Sequence, residues 1–181
     1  MKLLHTTRPR RPRVDVEAVD VAIVAAPVVA GGAVGALTAG AIGGWYRTLE
    51  KPAWNPPDRI FGPVWTTLYL LMGLAAALVA REGRKPSPRP GDVDPKTVQA
   101  GLAAFVVQLV LNLGWSLVFF RARRLRLAFA ELVALWIAIA VTTVAFARVR
   151  IVAGLLLVPY LAWTTFAGVL NLDIARRNPH G

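Results

Sequence analysis

The chain has 181 residues, 56% of them hydrophobic and 17% charged, with a formal net charge of +11 and a mean hydropathy of +0.52. That is too apolar for a soluble domain of this length, and the absence of cysteine excludes disulfides, zinc–thiolate sites and thiol catalysis. The basic residues fall in the gaps between apolar runs, so anionic lipid headgroups, not nucleic acid, are their expected partners.

Residues 1–18 read as a basic, disordered tail carrying Lys2, Arg8, Arg10, Arg11 and Arg13. Residues 19–178 read as one transmembrane domain. Five windows there are almost free of charge: 21–46, 60–80, 97–120, 127–147 (interrupted only by Glu131) and 151–172. Each reaches the ~20 residues that a helix rising about 1.5 Å per residue needs to cross a ~30 Å hydrocarbon core. They mostly lack the polar face that a soluble helix shows at its own period. The expected fold is an all-α integral membrane protein, a bundle of five transmembrane helices.

Two connections are long. Residues 81–96 (REGRKPSPRPGDVDPK) are rich in proline and charge and read as a solvated loop. The other lies inside 45–65, WYRTLEKPAWNPPDRIFGPVW, where Trp45, Tyr46, Trp54, Phe61 and Trp65 are interleaved with Pro52, Pro56, Pro57 and Pro63. A loop so aromatic and stiff reads as the lid of a site. The remaining connections, RARRLR and RVR, are tight enough to make their flanking helices antiparallel neighbours. Twelve lysines and arginines on the side of the N-terminus, against nine on the other, lean toward a cytoplasmic N-terminus.

The helices carry distinct faces. Helix one has small residues at four-residue spacing (Gly31, Gly35, Ala39, Gly43 and Gly32, Ala36, Gly40, Gly44), suited to close backbone packing against another helix of the bundle or a second protomer. Helix two aligns Phe61, Trp65, Tyr69 and Met72, and the Tyr69 hydroxyl needs a partner in hydrocarbon. Helix three aligns Gln108, Asn112, Trp115 and Phe119, a face that must look into the bundle, where its amides bond another helix or a ligand. Glu131 is expected to snorkel to the interface or to pair with Arg124 or Arg126, and Trp136 to pack or face lipid. Helix five aligns Trp163, Ala167, Leu170 and Asn171. Aromatic faces with a few amides, closed by an aromatic loop, have the composition of a site for a large flat apolar ligand.

Through the stretches WYRTLEKPAWNPPDRIFGPVWTTLYLLMG, LNLGWSLVFF and PYLAWTTFAGVLN, in that order, the chain resembles the TspO/MBR family of tryptophan-rich sensory proteins and translocator proteins. The resemblance covers residues 26–178. It implies a five-helix bundle, commonly a homodimer, whose first connecting loop folds over a pocket for porphyrins and, in mitochondrial members, for cholesterol and synthetic ligands. Carried onto this chain, it implies a pocket made by Tyr46, Trp54, Phe61, Trp65, Asn112, Trp115, Trp163, Ala167 and Leu170. It implies porphyrin as a ligand, with no cofactor required. The mitochondrial sterol motif needs a tyrosine that LNLDIARR lacks, having Leu172 and Asp173 there, so sterol binding by that route is not expected.

Haem iron normally takes His, Cys, Met or Tyr as axial ligand. His5 and His180 are terminal, which leaves Met72, Tyr69, Tyr46 and Tyr160; iron ligation is therefore not expected. A macrocycle stacked between indoles fits better, with Asn112 or backbone groups at its pyrrole nitrogens and Arg47, Lys51 and Arg59 as candidates for its propionates. The functional expectation is a membrane tetrapyrrole-binding protein that senses, sequesters or passes on its ligand. The alternatives are degradation of the bound porphyrin by light and oxygen, using nearby tryptophans, and passive transport of tetrapyrroles or lipids. Active transport is disfavoured because the windows show neither paired charges nor broken helices. The Ala/Val/Arg-rich composition and the lack of an organellar presequence point to a bacterial inner membrane.

Overall fold

Five apolar windows become five membrane-length helical spans in the computed structural model, which describes residues 16–85 and 93–179. Helix α1 is Val16–Gly43, and a single turn, α2 (Trp45–Thr48), follows it. A 3-10 turn, Asp58–Ile60, leads into α3 (Phe61–Gly83). Helix α4 (Pro95–Ser116) runs on into a π-helical turn, Leu117–Arg121, and α5 is Leu125–Val149. The last window holds α6 (Ile151–Leu155) and α7 (Val158–Arg177).

Two expectations are corrected here. Helix α1 begins at Val16, inside the segment assigned to the tail; the rest of that tail, 1–15, lies outside the described residues. The fifth span is also a broken helix. Pro159 has no N–H to offer the carbonyl four residues back, and the chain tightens at Leu156 and Leu157, where Leu157 N–H bonds the Gly154 carbonyl at 3.0 Å. The argument against active transport from unbroken helices therefore falls away.

The other ends follow from local chemistry. Asp94 caps α4, its carboxylate accepting from Lys96 N–H at 2.9 Å, with Pro95 in the first turn. The π turn closes with Ala122 N–H bonded to the Leu117 carbonyl at 2.9 Å, and Arg123, at φ 57°, turns the chain into α5. Within the spans, Thr38, Thr142 and Thr164 bond carbonyls four residues back, so no hydroxyl faces hydrocarbon unpaired.

Close approaches set the packing. Helix α1 lies on α3 through Gly73, where an added Cβ would stand 2.5 Å from the Val24 carbonyl oxygen, and through Gly31, which sits on the Tyr69 ring. At one end of this pair Asp20 is buried between Arg81, at 2.6 Å, and Arg84. Helix α4 meets α5 where Phe105 stacks on Phe146, centroids 5.7 Å apart. Helix α6 folds back on α5 at Gly154, whose Cβ would meet Ala147 Cβ at 2.6 Å. Met72, Leu135, Ile139, Phe146, Leu157 and Tyr160 fill the centre. Val106, Val110, Ile137, Val141, Val144 and Val169 point outward and exposed, the surface that acyl chains solvate.

Two further side chains differ from expectation. Glu131 makes no ion pair with Arg124 or Arg126 among the described residues. It turns inward to lie against Gly114, where a Cβ would stand 2.7 Å from Oε1, and its Oε2 is buried without a hydrogen-bond partner. Trp136 has a polar partner after all: its Nε1 donates to Thr165 Oγ1 on α7 at 2.8 Å.

Candidate ligand-binding cavity

The aromatic faces read from helices two, three and five converge on one cavity of about 420 Å³ between α1, α3, α7 and the π end of α4. Phe61, Trp65 and Tyr69 supply the α3 wall at spacings of four, one helical turn apart. Helix α7 supplies Trp163, Ala167, Leu170 and Asn171, again one stripe. Trp115, Phe119 and Phe120 come from the end of α4, where the widened π turn brings two adjacent phenylalanines onto the same wall. Helix α1 contributes Gly31, Gly32 and Gly35, so its wall is bare backbone and leaves room for a ligand.

The rings hold one another edge-on or tilted. Trp65 lies 5.7 Å from Tyr69 and 6.2 Å from Tyr160, Phe61 lies 6.0 Å from Trp163, and Trp115 lies 5.2 Å from Phe119. Such pairs gain energy beyond area burial and resist reorientation. Trp115 Nε1 donates to Asn171 Oδ1 at 3.3 Å, and Asn171 Nδ2 donates to the Leu125 carbonyl at 3.0 Å, which ties α4, α5 and α7 together behind the wall.

Of the residues selected from sequence, Tyr46, Phe61, Trp65, Trp115, Trp163, Ala167 and Leu170 line this cavity. Asn112 and Trp54 do not. The Asn112 side chain is buried behind Tyr69 and is fully engaged: Oδ1 accepts from the Tyr69 hydroxyl at 2.7 Å, and Nδ2 donates to the Tyr160 hydroxyl at 2.9 Å. It is therefore the partner that Tyr69 required, and in this structure it has no free group for a pyrrole nitrogen. Trp54 packs edge-on against Phe166, 5.8 Å away, and is 45% exposed on the outer side of the loop. Sequence reasoning left Phe120, Thr38 and Asp58 out of the site. Phe120 depends on the π turn, which no residue pattern announced. Thr38 is the polar member of the small-residue stripe, and Asp58 directly precedes the aromatic face of α3.

The aromatic loop closes over this end of the bundle. The Tyr46 hydroxyl donates to Asn55 Oδ1 at 3.0 Å, and Lys51 Nζ donates to the Tyr46 carbonyl at 2.7 Å while standing 4.6 Å over its ring. Glu50 and Asn178 exchange two bonds, 3.1 and 2.9 Å, fastening the loop to the end of α7. Leu49 is buried among Phe119, Leu125, Leu170 and Ile174. Burial pushes the Tyr46 phenol up to about 12, the negative charge of Asp58 adds to the rise, and the bond to Asn55 opposes it.

Comparison with known proteins decides the family. The TspO/MBR family model matches residues 23–177. The chain is 47% identical over 135 residues to the tryptophan-rich protein TspO of Chlorobaculum tepidum, covering 75% of this chain and 80% of that one. It is 42% identical over 137 residues to the human translocator protein, covering 76% of each. It is 40% identical over 135 residues to the tryptophan-rich sensory protein of Cereibacter sphaeroides, covering 74% of this chain and 77% of that one. The chain belongs to the TspO/MBR family. With its five membrane-length spans, this TspO/MBR chain is an integral, multi-pass membrane protein.

The charge at the cavity of this TspO/MBR protein differs from the sequence expectation. Lys51 is engaged by the Tyr46 carbonyl and ring, and neither Arg47 nor Arg59 belongs to the wall. The one charged side chain lining the cavity, among the described residues, is Asp58.

Proposed function

We propose that this TspO/MBR protein binds a tetrapyrrole within a bacterial inner membrane and acts there as a sensor, a store or a transfer protein for it. One observation carries the reading: a single cavity walled by Trp65, Tyr69, Trp115, Phe119 and Trp163, with α1 offering only backbone opposite them. Its volume of about 420 Å³ is in the range of pockets that enclose a ligand of several fused or linked rings, roughly 300–1,000 Å³. The wall's polar atoms are mostly committed to the protein already. Thr38 Oγ1 donates to the Val34 carbonyl, the Tyr46 hydroxyl to Asn55, and Asn171 holds Trp115 and Leu125. What remains for a ligand is ring surface, and ring surface selects a flat apolar body.

In this reading Trp65, Trp163 and Phe61 stack against the macrocycle, Ala167 and Leu170 give it clearance on α7, and the 45–65 loop shuts the site from water. A homodimer is part of the proposal. Ala36, Ala39, Gly40 and Gly43 are exposed along α1 and would let a second copy's backbone come close. Light- and oxygen-dependent breakdown of the ligand is the second reading, favoured by the three indoles in the wall.

The test is a titration of the purified full chain with protoporphyrin in the dark, followed by illumination. Saturable quenching of tryptophan fluorescence with an unchanged porphyrin band is the expected result. Bleaching under light that disappears in Trp65→Phe or Trp163→Phe would replace binding alone with the degradative reading. Absence of quenching at micromolar porphyrin would remove both.

A further inference from the structure

Asp58 is exposed, sits in the 3-10 turn that opens α3, and contributes to the cavity wall beside Tyr46 and Phe61. Among the described residues its carboxylate has neither a hydrogen bond nor an ion pair. The nearby cations are accounted for otherwise. Lys51 is held by the Tyr46 carbonyl, Arg123 stands 5.7 Å over the Trp45 ring, and Arg47 and Arg59 are exposed outside the wall. The rest of the lining is apolar, aromatic or neutral, so Asp58 sets the sign of the potential at this end of the cavity. Its field reaches the neighbouring Tyr46 phenol, whose ionisation it opposes.

We propose that Asp58 determines the charge selectivity of the site: the ligand turns a neutral or cationic edge to this carboxylate, and a free carboxylate on that edge is disfavoured. The inference rests on the tetrapyrrole reading and sharpens it. A tetrapyrrole with masked side-chain carboxyls, as esters, fits the mouth better than the free acid. The mechanism is simple repulsion without a counter-ion. Two like charges near contact, in a medium between bulk water and a protein surface, shift an equilibrium by on the order of ten-fold. A charge built against one ligand is as effective a source of specificity as a contact built for another.

The test uses the full chain in detergent, titrated in the dark with protoporphyrin IX and, separately, with its dimethyl ester. Tryptophan quenching is read for the wild type, Asp58→Asn and Asp58→Glu. Because both compounds partition into micelles, the quantity compared is the ratio of their Kd values between variants. The ester is expected to bind more tightly to the wild type. Asp58→Asn should strengthen free-acid binding on the order of ten-fold while leaving the ester unchanged, and Asp58→Glu should retain the wild-type preference. The same ratio in wild type and Asp58→Asn overturns the inference and leaves the tetrapyrrole reading standing. Failure of both compounds to quench any variant overturns the tetrapyrrole reading and this inference with it.

Discussion

The Tyr69 hydroxyl donates to Asn112 Oδ1 at 2.7 Å, and the same amide donates to the Tyr160 hydroxyl at 2.9 Å, so one buried asparagine on α4 holds a phenol from α3 and a phenol from α7. Tyr69 lines the cavity, whereas Asn112 and Tyr160 are buried behind it. The three groups form a polar clamp across the helices that carry the aromatic walls. In hydrocarbon such a clamp has no water to replace it.

Asn112→Leu is therefore expected to destabilise the bundle before it does anything to ligand contact. A buried hydroxyl left without its partner costs about 1–3 kcal/mol, which thermal unfolding in detergent would register as a lower midpoint. Adding Tyr69→Phe and Tyr160→Phe to Asn112→Leu removes the orphaned groups and should recover part of that loss. If Asn112→Leu keeps its midpoint and loses only ligand affinity, the clamp is not structural.

The α1–α3 contact gives a second test. An added Cβ at Gly73 would stand 2.5 Å from the Val24 carbonyl oxygen, and that atom belongs to a helix backbone that cannot swing aside. Gly73→Ala is expected to cost about 1–3 kcal/mol by overpacking. Gly32→Ala meets nothing within 4 Å and should leave stability unchanged, trimming only the cavity. Equal midpoints for the two variants would mean that α1 does not seat on α3 as described.

Tyr46 lies between the first two spans, and its phenol is raised from the ordinary 10.0 to about 12. The raised value favours the protonated phenol in the folded state, so above pH 10 the unfolded chain holds fewer protons than the folded one. Stability from this group is complete below pH 10 and declines as pH rises from 10 toward 12. The phenolate absorbance attributable to Tyr46, taken as the difference between wild type and Tyr46→Phe, should appear with a midpoint near 12. A midpoint at 10.0 would mean that the loop does not cover this side chain.

Trp163 separates stability from binding. Its ring lines the cavity, but its Nε1 is buried with no hydrogen-bond partner among the described residues. Trp163→Phe deletes an unpaired donor and keeps an aromatic ring, so the unfolding midpoint should hold or rise. Porphyrin quenching should weaken because stacking area against the macrocycle is lost. A variant that unfolds early would show that the indole N–H is paired in the membrane.

Much of this architecture was legible because lipid enforces strict rules. Uncharged windows of sufficient length become helices, and the Trp163, Ala167, Leu170 stripe follows from helical spacing alone. Asn112 and Trp54 were harder. Both share a face or loop with cavity residues, but their orientation depends on partners far along the chain: Tyr160 for the amide, Phe166 for the indole. The π turn that brings in Phe120 has no residue signature, since it arises where α4 meets the start of α5. Glu131 looked like an interfacial acid by position, and only Gly114 on the facing helix explains why it turns inward. Pro159 was visible in the sequence, and its break in the last span follows from the missing N–H.

The most direct measurement of the central claim is dark titration of Ala167→Trp with protoporphyrin. Ala167 lies on the cavity wall between Trp163 and Leu170, and an indole there occupies the space assigned to the macrocycle. The expected result is a bundle with an unchanged helical circular-dichroism spectrum and monodisperse elution, and no saturable quenching. Wild-type affinity in a folded Ala167→Trp protein would show that porphyrin binds elsewhere and that this cavity is not the site.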